Sequence, residues 1–283
     1  MDSNQSKINL TFVEPIDELK PFIQSIWVFE SSVGMPLSDS SLAAPNGCSK
    51  IIINYENTIH STAEGRINKS REHSLYFAGT RDVSVQISTP PGKTGFIGIE
   101  FYPHGAYPIF GIPMTETANS LLPAEAIFSD GRDGRTINEA LANLKSVSEK
   151  INFIQNQLVK LLRRRQLQNS VIEFCVGSLK STNGLITISE LECKTGYTGR
   201  YIELLFKNHV GFSPKVLAGI FRFQKFYKKW AHGVHYNEFK DELYNYYYDQ
   251  AHFTKEFKKM TGFAPRHFIE NVSNEFGRRL TLH

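Results

Sequence analysis

Nine residues, FKNHVGFSP at 206–214, recur 51 positions later as FKKMTGFAP at 257–265. The match continues past the shared proline, where Lys215 corresponds to Arg266, and it needs no gap across about 20 positions. Self-similarity at a fixed offset indicates a duplicated structural unit. Because the apolar residues of both copies recur at helical spacing, the sequence predicts one helical unit that occurs twice.

Each copy carries the signals of a helix, a tight turn and a second helix. In the first copy, Thr187 and Glu190 form a Thr-x-x-Glu capping box that predicts a helix start. Gly196 then allows the backbone of a tight turn. Thr198 is placed to cap the second helix, and Asp249 holds the equivalent position in the second copy. The residues predicted to face inward from the two second helices are Ile202, Leu205, Phe206, Phe253 and Phe257.

This arrangement predicts a protein that binds double-stranded DNA. In a helix-turn-helix unit the second helix enters the major groove, where Arg can pair with guanine, an amide with adenine, and Lys with phosphate or guanine. Ser213 and Pro214 start a joining helix over residues 214–231, about 27 Å long, which suits grooves about 34 Å apart. The predicted DNA-binding residues are Thr198, Arg200, Tyr201, Glu203 and Lys207, and Gln250, Ala251, His252, Thr254, Lys255, Lys258 and Lys259.

Charge divides the chain at the same place as the helical signals. Residues 1–162 carry 13 Lys and Arg against 17 Asp and Glu, a net charge of −4. Residues 163–283 carry 19 against 11, a net charge of +8. A basic half suits a polyanionic partner, although many solvated helical surfaces are mildly basic. The charge supports nucleic acid as the partner only together with the repeat.

Composition and length exclude several other classes of protein. A chain of 283 residues predicts two domains, and 41% hydrophobic with 21% charged residues is ordinary for a soluble globular protein. The N-terminus lacks the pattern of a secretory signal, and no apolar run approaches the roughly 20 residues that span a bilayer. Three widely spaced cysteines fit a reducing compartment. We therefore expect a cytoplasmic protein without a membrane partner.

Short alternations of apolar and polar residues before about residue 130 predict strands. Residues 51–56 and 83–88 alternate in this way between clusters of Gly, Pro, Asn and Ser, which favours an antiparallel sandwich or small barrel. The predicted fold class is therefore α+β in two domains. The predicted units are an effector-binding or dimerisation domain at 1–135, a helical linker at 136–166, and an all-α DNA-binding domain with two helix-turn-helix units at 167–283.

The linker carries two sets of apolar residues spaced by seven. The sets are Ile137, Leu144, Ile151 and Leu158, and Ala140, Val147, Ile154 and Leu161. Such a stripe on one helix over about residues 136–165 can form a coiled-coil seam, which predicts a homodimer. The alternative is that the stripe packs on the N-terminal domain.

The two C-terminal motifs resemble the DNA-binding domain of the AraC/XylS family of bacterial transcription regulators. The matching stretches are ISEL at 188–191 with Gly196, YIELLF at 201–206, VGFSP at 210–214, YDQAHF at 248–253 and FKKMTGFAP at 257–265. The resemblance covers about residues 167–275. It implies a seven-helix domain that binds specific DNA sequences and regulates transcription, with RNA polymerase as a further candidate partner.

The N-terminal part resembles the cupin-like sensor domains attached to some members of that family. The stretches that carry this resemblance are Trp27, PNGC at 45–48, FYPHG at 101–105 and FGIP at 110–113. Such domains bind small effectors or mediate dimerisation. The resemblance therefore implies a small-molecule effector or a homodimer.

Three features depart from the family pattern. Glu192 stands where a small residue is usual, and Leu204 where a basic or polar base-contacting residue is common. Tyr246 replaces the turn glycine of the second copy, and the preceding Phe239 and Leu243 are out of register. We therefore expect altered packing and weaker base readout in the first unit, and a shorter or distorted first helix in the second.

A sandwich interior lined by aromatic residues could hold a small molecule, because ligand sites are typically apolar cavities with a few polar groups. The predicted ligand-binding residues are Trp27, Phe29, Cys48, Phe77, Phe101, Tyr102 and His104. The alternative is that the aromatic residues simply fill the core.

No sequence motif indicates catalysis, a metal or a cofactor. His60, His73 and His104 are scattered, without the close spacing of cupin metal ligands. Phosphate-binding loops, dinucleotide glycine patterns and nucleophile elbows do not occur. Two alternatives to a regulator are a cupin-type enzyme with a helical appendage and a binding module that has lost its affinity for DNA. The enzyme leaves the 51-residue repeat unexplained, so we expect no enzymatic activity.

Overall fold

Two antiparallel sheets form the N-terminal domain in the computed structural model, which describes residues 8–35, 41–128, 132–165, 167–272 and 274–282. The strands are β1 (Ile8–Val13), β2 (Ile23–Ser31), β3 (Leu42–Ala43), β4 (Lys50–Glu56), β5 (Ile59–Ala63), β6 (Arg66–Ser70), β7 (Ser74–Ala78), β8 (Val85–Ser88), β9 (Thr94–Phe101) and β10 (Leu121–Pro123). The large sheet has the order β1-β2-β9-β4-β7-β10, and the small sheet has the order β3-β8-β5-β6. The predicted antiparallel sandwich is confirmed.

The large sheet has two apolar faces with different neighbours. Trp27 is paired with Gly98, and Ile26 is paired with Ile99. Because successive residues of a strand point to opposite faces, these two pairs lie on different sides of the sheet. The face that carries Trp27 and Phe96 packs towards the small sheet, and the face that carries Ile26 and Ile99 packs against helices.

Four helices cover this second face. They are α1 (Tyr107–Phe110), α2 (Ala124–Ile127), α3 (Arg132–Asn143) and α4 (Val147–Arg165). The predicted single helix over about residues 136–165 is wrong. Ser146 and Glu149 form a capping box, in which each side chain accepts a hydrogen bond from the other residue's N–H, and this box starts a new helix.

The heptad stripe of α3 and α4 is buried within one chain. Ile151 and Leu158 are 3% and 0% exposed and belong to the same core as Ile99 of the large sheet. Of the two alternatives for the stripe, packing on the N-terminal domain is the one observed, and the coiled-coil interpretation is wrong. The segment predicted as a linker is therefore part of the N-terminal core.

The C-terminal domain is helical, as predicted. Its helices are α5 (Ser170–Ser181), α6 (Ile188–Thr195), α7 (Gly199–His209), α8 (Pro214–Ala231), α9 (Tyr236–Phe239), α10 (Gln250–Thr261), α11 (Pro265–Asn271) and α12 (Glu275–Thr281). The joining helix α8 has the predicted bounds. Its residues Leu217 and Phe221 pack with α5–α7, and Phe223 and Phe226 pack with α9–α11. No helix within the described ranges is long and apolar enough to cross a membrane.

The two domains pack directly on each other. A Cβ atom added to Gly47 would come within 2.6 Å of Leu217 Cδ1 on α8. The Pro45 carbonyl accepts a hydrogen bond from the Gln224 side chain, also on α8. Helix α12 inserts Phe276 into an apolar cluster of the sandwich. The helix that joins the two helix-turn-helix units is therefore in contact with the N-terminal domain.

Candidate nucleic-acid interface and ligand cavity

The first helix-turn-helix unit consists of α6 and α7, and its predicted caps are confirmed. Thr187 Oγ1 accepts a hydrogen bond from the Glu190 N–H at 3.2 Å, and the Glu190 carboxylate accepts one from the Thr187 N–H at 2.8 Å. Gly196 has a φ of 73°, in the left-handed region. Thr198 Oγ1 accepts from the Tyr201 N–H at 3.4 Å. These contacts satisfy N–H groups that a helix start leaves free.

The outer face of α7 is the side turned away from Ile202 and Phe206, which are both fully buried. The predicted residues exposed on the outer face are Arg200, Glu203 and Lys207. Leu204 lies among them and is 53% exposed. Tyr201 flanks this face and its ring lies 4.9 Å from that of Tyr197. The outer face of α7 thus mixes two basic groups, one acid and one apolar side chain.

Glu192 contacts the start of the recognition helix. Its carboxylate accepts a hydrogen bond from the N–H of Gly199, the first residue of α7. A Cβ atom at Gly199 would come within 3.0 Å of Ile188 Cγ2, so the two helices of this unit are close here. A carboxylate is favourable at a helix N-terminus. Glu192 therefore helps to cap α7.

The second unit lacks a full first helix, as predicted. Helix α9 has four residues and is followed by a 3-10 turn over Asp241–Asn245. Tyr246, which replaces the turn glycine, has a φ of −123° and is not left-handed. Its ring meets that of Phe226 edge-on at 5.6 Å, and Lys225 Nζ lies 4.5 Å from its centre. Aromatic packing therefore holds this turn in place of a glycine conformation.

The recognition helix of the second unit, α10, is regular. Asp249 accepts a hydrogen bond from the His252 N–H at 2.7 Å and caps the helix. Phe253 and Phe257 are buried against α8, as predicted. The predicted residues that form the outer face of α10 are Gln250, Ala251, Thr254, Lys255 and Lys258, which line one open groove.

Two predicted DNA-binding residues of α10 lie away from its outer face. His252 Nε2 is 3.5 Å from the Glu256 carboxylate. Lys259 forms an ion pair with Asp82 of the N-terminal domain at 2.6 Å. Burial opposes ionisation of Asp82, but hydrogen bonds from Lys259 and Asn119 outweigh it, so the pKa of this carboxyl lies below its usual value. The sandwich therefore holds Lys259 in this conformation.

The outer faces of the two recognition helices use equivalent positions. At the offset of 51, Arg200 corresponds to Ala251, Glu203 to Thr254, Leu204 to Lys255 and Lys207 to Lys258. Residues three and four apart share one side of a helix, so each set forms a continuous surface. The outer face of α10 has two lysines and no acid, whereas Glu203 offsets part of the positive charge on α7.

Three of the predicted ligand-binding residues lie between the two sheets. Trp27 and Cys48 line a cavity of about 110 Å³, which we call the inter-sheet cavity. Phe29 packs beside it, with its ring stacked 4.6 Å from that of Phe96. Burial raises the pKa of the Cys48 thiol, which therefore stays protonated near neutral pH.

Phe77 and Phe101 do not line this cavity, which corrects the predicted lining. Both are fully buried in the core on the helical face of the large sheet, where they contact Phe110 of α1. The reason is the alternation of side chains along a strand. Phe101 is three residues from Gly98, which faces Trp27, so Phe101 points to the other side.

Tyr102 and His104 lie beyond β9, where the two domains meet. Their rings stack with centres 6.0 Å apart, and Lys180 Nζ lies 5.7 Å from the Tyr102 ring. Tyr102 and Cys48 also line a cleft between the sandwich and the C-terminal domain. Burial lowers the pKa of His104 to about 4. Within the described part of the chain, no group of three or more His, Cys, Asp or Glu residues could hold a metal ion.

Several residues of the inter-sheet cavity were not predicted. Among them are Lys50, Ser61, Arg81, Phe276 and Leu280. Strand alternation could have identified Lys50, because Ile52 of the same strand is paired with Gly98 and faces the cavity. No local signal connects Phe276 with the sandwich, because it reaches the cavity from the other domain.

A protein-family profile matches the N-terminal part of the chain. Its description is "Domain of unknown function (DUF6597)", and the match spans residues 11–123. This range holds the two sheets except for the first half of β1, and it does not include the helical domain. None of the curated proteins matches the chain.

Several solved structures resemble the chain in part or in whole. ToxT from Vibrio cholerae aligns over 93% of this chain and 97% of its own, with 10% identity and a TM-score of 0.43. A cupin superfamily protein from Desulfitobacterium hafniense aligns over 36% of this chain and 83% of its own, with 9% identity and a TM-score of 0.27. An HTH_3 family transcriptional regulator from Vibrio cholerae aligns over 34% and 52%, with 13% identity and a TM-score of 0.27. Identities this low assign no function to the chain.

Proposed function

We propose that this chain is a sequence-specific transcription regulator of the AraC/XylS type, and not an enzyme. It binds double-stranded DNA in two successive major grooves. The observation that carries the proposal is the pair of outer faces on α7 and α10, which occupy equivalent positions in the two units joined by α8. Both helices are capped at their N-terminal ends, which are the ends that enter the groove.

The side chains of the outer faces suit the groups of a DNA duplex. Arg200 can pair bidentately with guanine and Gln250 with adenine, while Lys255 and Lys258 can contact phosphate or guanine. The 18 residues of α8 span about 27 Å, comparable with the spacing of about 34 Å between successive grooves. The net charge of residues 163–283 adds attraction that is independent of sequence.

We also propose that the N-terminal domain makes DNA binding responsive to a small effector. The ion pair between Lys259 and Asp82 connects the sandwich to the second unit, and Phe276 connects it to α12 of the C-terminal domain. An effector regulates only when it binds the DNA-competent and incompetent states with different affinity. Loss or retention of these contacts would supply that difference.

A homodimer that acts in the cytoplasm and contacts RNA polymerase completes the proposal. The dimer contact must lie elsewhere than the heptad stripe, because Ile151 and Leu158 are buried within one chain. Sedimentation of the full chain should therefore show a dimer whose Ile151→Glu variant unfolds, and does not yield a folded monomer. If the chain is a monomer at all concentrations, with and without DNA, the proposed homodimer is contradicted.

Selection of binding sites from random duplexes with the full chain tests the DNA proposal. We expect enrichment of a site with two motifs about 10 base pairs apart, and an affinity that falls steeply with salt. Lys258→Ala should weaken binding to every duplex. Lys93→Ala, at an exposed lysine of the N-terminal domain, is the matched control and should bind DNA like the parent chain. Absence of any enriched sequence would overturn the proposal.

A further inference from the structure

The inter-sheet cavity is a predominantly apolar chamber with walls from both sheets and from the C-terminal helix. Its aliphatic and aromatic lining comprises Ile52, Ile59, Val85, Ile87, Phe96 and Phe276. A cavity of about 150 Å³ lined in this way accepts a molecule of the size of benzene. At about 110 Å³, the inter-sheet cavity suits a compact body, such as a short branched chain, and is too small for a long one.

Three residues that line the cavity carry a polar group that lacks a partner among the described residues. Trp27 Nε1 and Ser61 Oγ are buried and make no hydrogen bond. Arg81 is half-buried and forms neither an ion pair nor a hydrogen bond in that part of the chain. Burial lowers the pKa of its guanidinium group, and the charge of Glu64 offsets this effect only in part. Buried polar groups without partners are costly, so the Trp27 N–H and the Ser61 O–H call for a partner. The half-buried guanidinium group of Arg81 is open to a ligand.

Lys50, the other cationic residue that lines the cavity, already has partners. Lys50 Nζ lies 3.0 Å from the Glu100 carboxylate and 3.1 Å from Asn46 Oδ1. Arg81 is therefore the group at this cavity that remains available to an anion. Arg and the indole N–H can only donate hydrogen bonds and a hydroxyl can donate one, so the complementary head group is a hydrogen-bond acceptor with negative charge.

We propose that the inter-sheet cavity binds a short branched-chain monocarboxylate. Its carboxylate faces Arg81, which can bind both oxygen atoms in a planar fork, and the Trp27 N–H and Ser61 O–H supply further donors. The branched apolar body fills the space between the sheets. The proposal names the effector class of the regulator, and to that extent it rests on the proposed function.

Helix α12 connects this cavity to the helix-turn-helix units. Phe276 meets the Trp27 ring at 6.5 Å on one side of the helix. On the other side, Arg278 donates hydrogen bonds of 3.1 and 3.2 Å to the Ala231 carbonyl at the end of α8, and Asn274 donates one of 2.8 Å to the Tyr227 hydroxyl. A ligand that contacts Phe276 therefore changes the packing of a helix that is bonded to α8.

Calorimetric titration of the full chain with isovalerate tests the site, with isovaleramide as the neutral probe of the same shape. We expect the acid to bind at least tenfold more tightly than the amide. Arg81→Gln should weaken acid binding at least tenfold and leave amide binding unchanged. Arg66→Gln, at an exposed arginine on β6, is the matched control and should bind the acid like the parent chain.

The location of the site is tested separately, by the NMR signal of the Trp27 indole N–H. The chain has two tryptophans, so ¹⁵N-labelled protein gives two indole N–H signals, and isovalerate should shift the signal of Trp27 while that of Trp230 moves little. Equal affinity for acid and amide, or an unmoved Trp27 signal at saturation, would overturn the proposal. Neither measurement needs a variant, so a misfolded Arg81→Gln protein leaves the test intact.

DNA binding is measured separately, so that the two failures are distinct. If the chain binds the acid but selects no DNA site, the carboxylate site is supported and the proposed function is contradicted. If the chain selects a DNA site but does not bind the acid, the proposed function is supported and the carboxylate site is contradicted. When both occur, saturating isovalerate should change the DNA affinity at least threefold in the parent chain and leave that of Arg81→Gln unchanged.

Discussion

The two helix-turn-helix units hold their recognition helices by different means. The first has an eight-residue first helix with a capping box, followed by a left-handed Gly196. The second has a four-residue helix and a 3-10 turn. Aromatic rings surround its recognition helix instead, with Tyr247 at 5.1 Å and Phe226 at 5.8 Å from Phe253. A regular first helix is therefore dispensable when buried ring contacts fix the second one.

The units also differ in how their recognition helices contact the sandwich. At the end of α7, the ring of the buried His209 lies 4.3 Å from that of Tyr107. Helix α10 instead reaches the sandwich through the Lys259–Asp82 ion pair, in which Lys259 is half exposed. We therefore expect the contact of the first unit to be sensitive to acid and that of the second to be sensitive to salt.

The largest effect is expected where the aromatic packing of the second unit is removed. Phe253→Ala should lower the free energy of unfolding by about 3–5 kcal/mol, because it leaves a cavity among rings that cannot close around it. Urea denaturation followed by circular dichroism measures this. Tyr244→Ala, at a side chain that is 64% exposed, is the control and should change stability by less than about 0.5 kcal/mol. Equal losses in both variants would contradict the comparison.

The next effect concerns the two outer faces. Arg200→Ala and Lys255→Ala should each weaken binding to a selected duplex by about 1–3 kcal/mol if the side chain reads a base. Leu204→Lys gives α7 the residue that α10 has at Lys255 and should strengthen binding, which fluorescence anisotropy would detect. If all three variants bind like the parent chain, the outer faces are not the DNA-binding surface.

Local chemistry explains why much of the C-terminal domain could be predicted. The capping box at Thr187, the turn at Gly196 and the cap at Asp249 each act within four residues along the chain. The same is true of Ser213 and Pro214, which fixed the start of α8. The capping box of Ser146 and Glu149 starts a new helix at the middle of the apolar stripe, and for that reason the predicted single linker helix is wrong.

The residues that line the inter-sheet cavity could not be predicted from local patterns, because they are brought together by contacts between distant parts of the chain. Phe96 and Phe101 lie on one strand, but only pairing with β2 shows that Phe96 shares a face with Trp27. Phe276 reaches the same cluster from the last described helix. Sequence therefore predicted that a sandwich interior would exist, whereas the residues that line it followed from register and domain packing.

A third prediction concerns the loss of stability at acid pH that the buried His209 of the first unit should cause. His209 is 4% exposed, its Nδ1 has no hydrogen-bond partner among the described residues, and burial, with a smaller effect of His104, lowers its pKa to about 4. As the pH falls below about 6.5, the unfolded chain takes up protons first, so stability is retained above this pH and lost towards pH 4. We expect a loss of about 2 kcal/mol, which allows for partial screening.

His209→Met tests the source of this loss, because Met260 is the equivalent residue of the second unit. The variant should reduce the decrease in the free energy of unfolding between pH 6.5 and pH 4.5. His232→Met, at an exposed site, should keep the pH dependence of the parent chain. The same dependence in His209→Met would show that the acid sensitivity arises elsewhere.

The smallest effect on stability is expected at the ion pair between the second unit and the sandwich. Because the Lys259 side chain is 52% exposed, Asp82→Asn should cost no more than about 0.2–1 kcal/mol, and added salt should reduce the difference. The pKa of Asp82 is lowered in the folded chain. Its contribution is therefore present above the unfolded pKa and is lost as the pH falls through the folded one.

The same substitution should act on DNA binding in the opposite direction. Asp82→Asn releases Lys259 from the sandwich, and the freed ammonium group can neutralise a phosphate, so affinity for DNA should rise and its salt dependence should steepen. Glu139→Gln, at an exposed acid of α3, removes the same charge without touching Lys259. Affinity measured for both variants at low and at physiological salt separates release of the lysine from a change in net charge. An equal gain in the two variants would assign the effect to net charge, and the ion pair would then have no part in restraining the second unit.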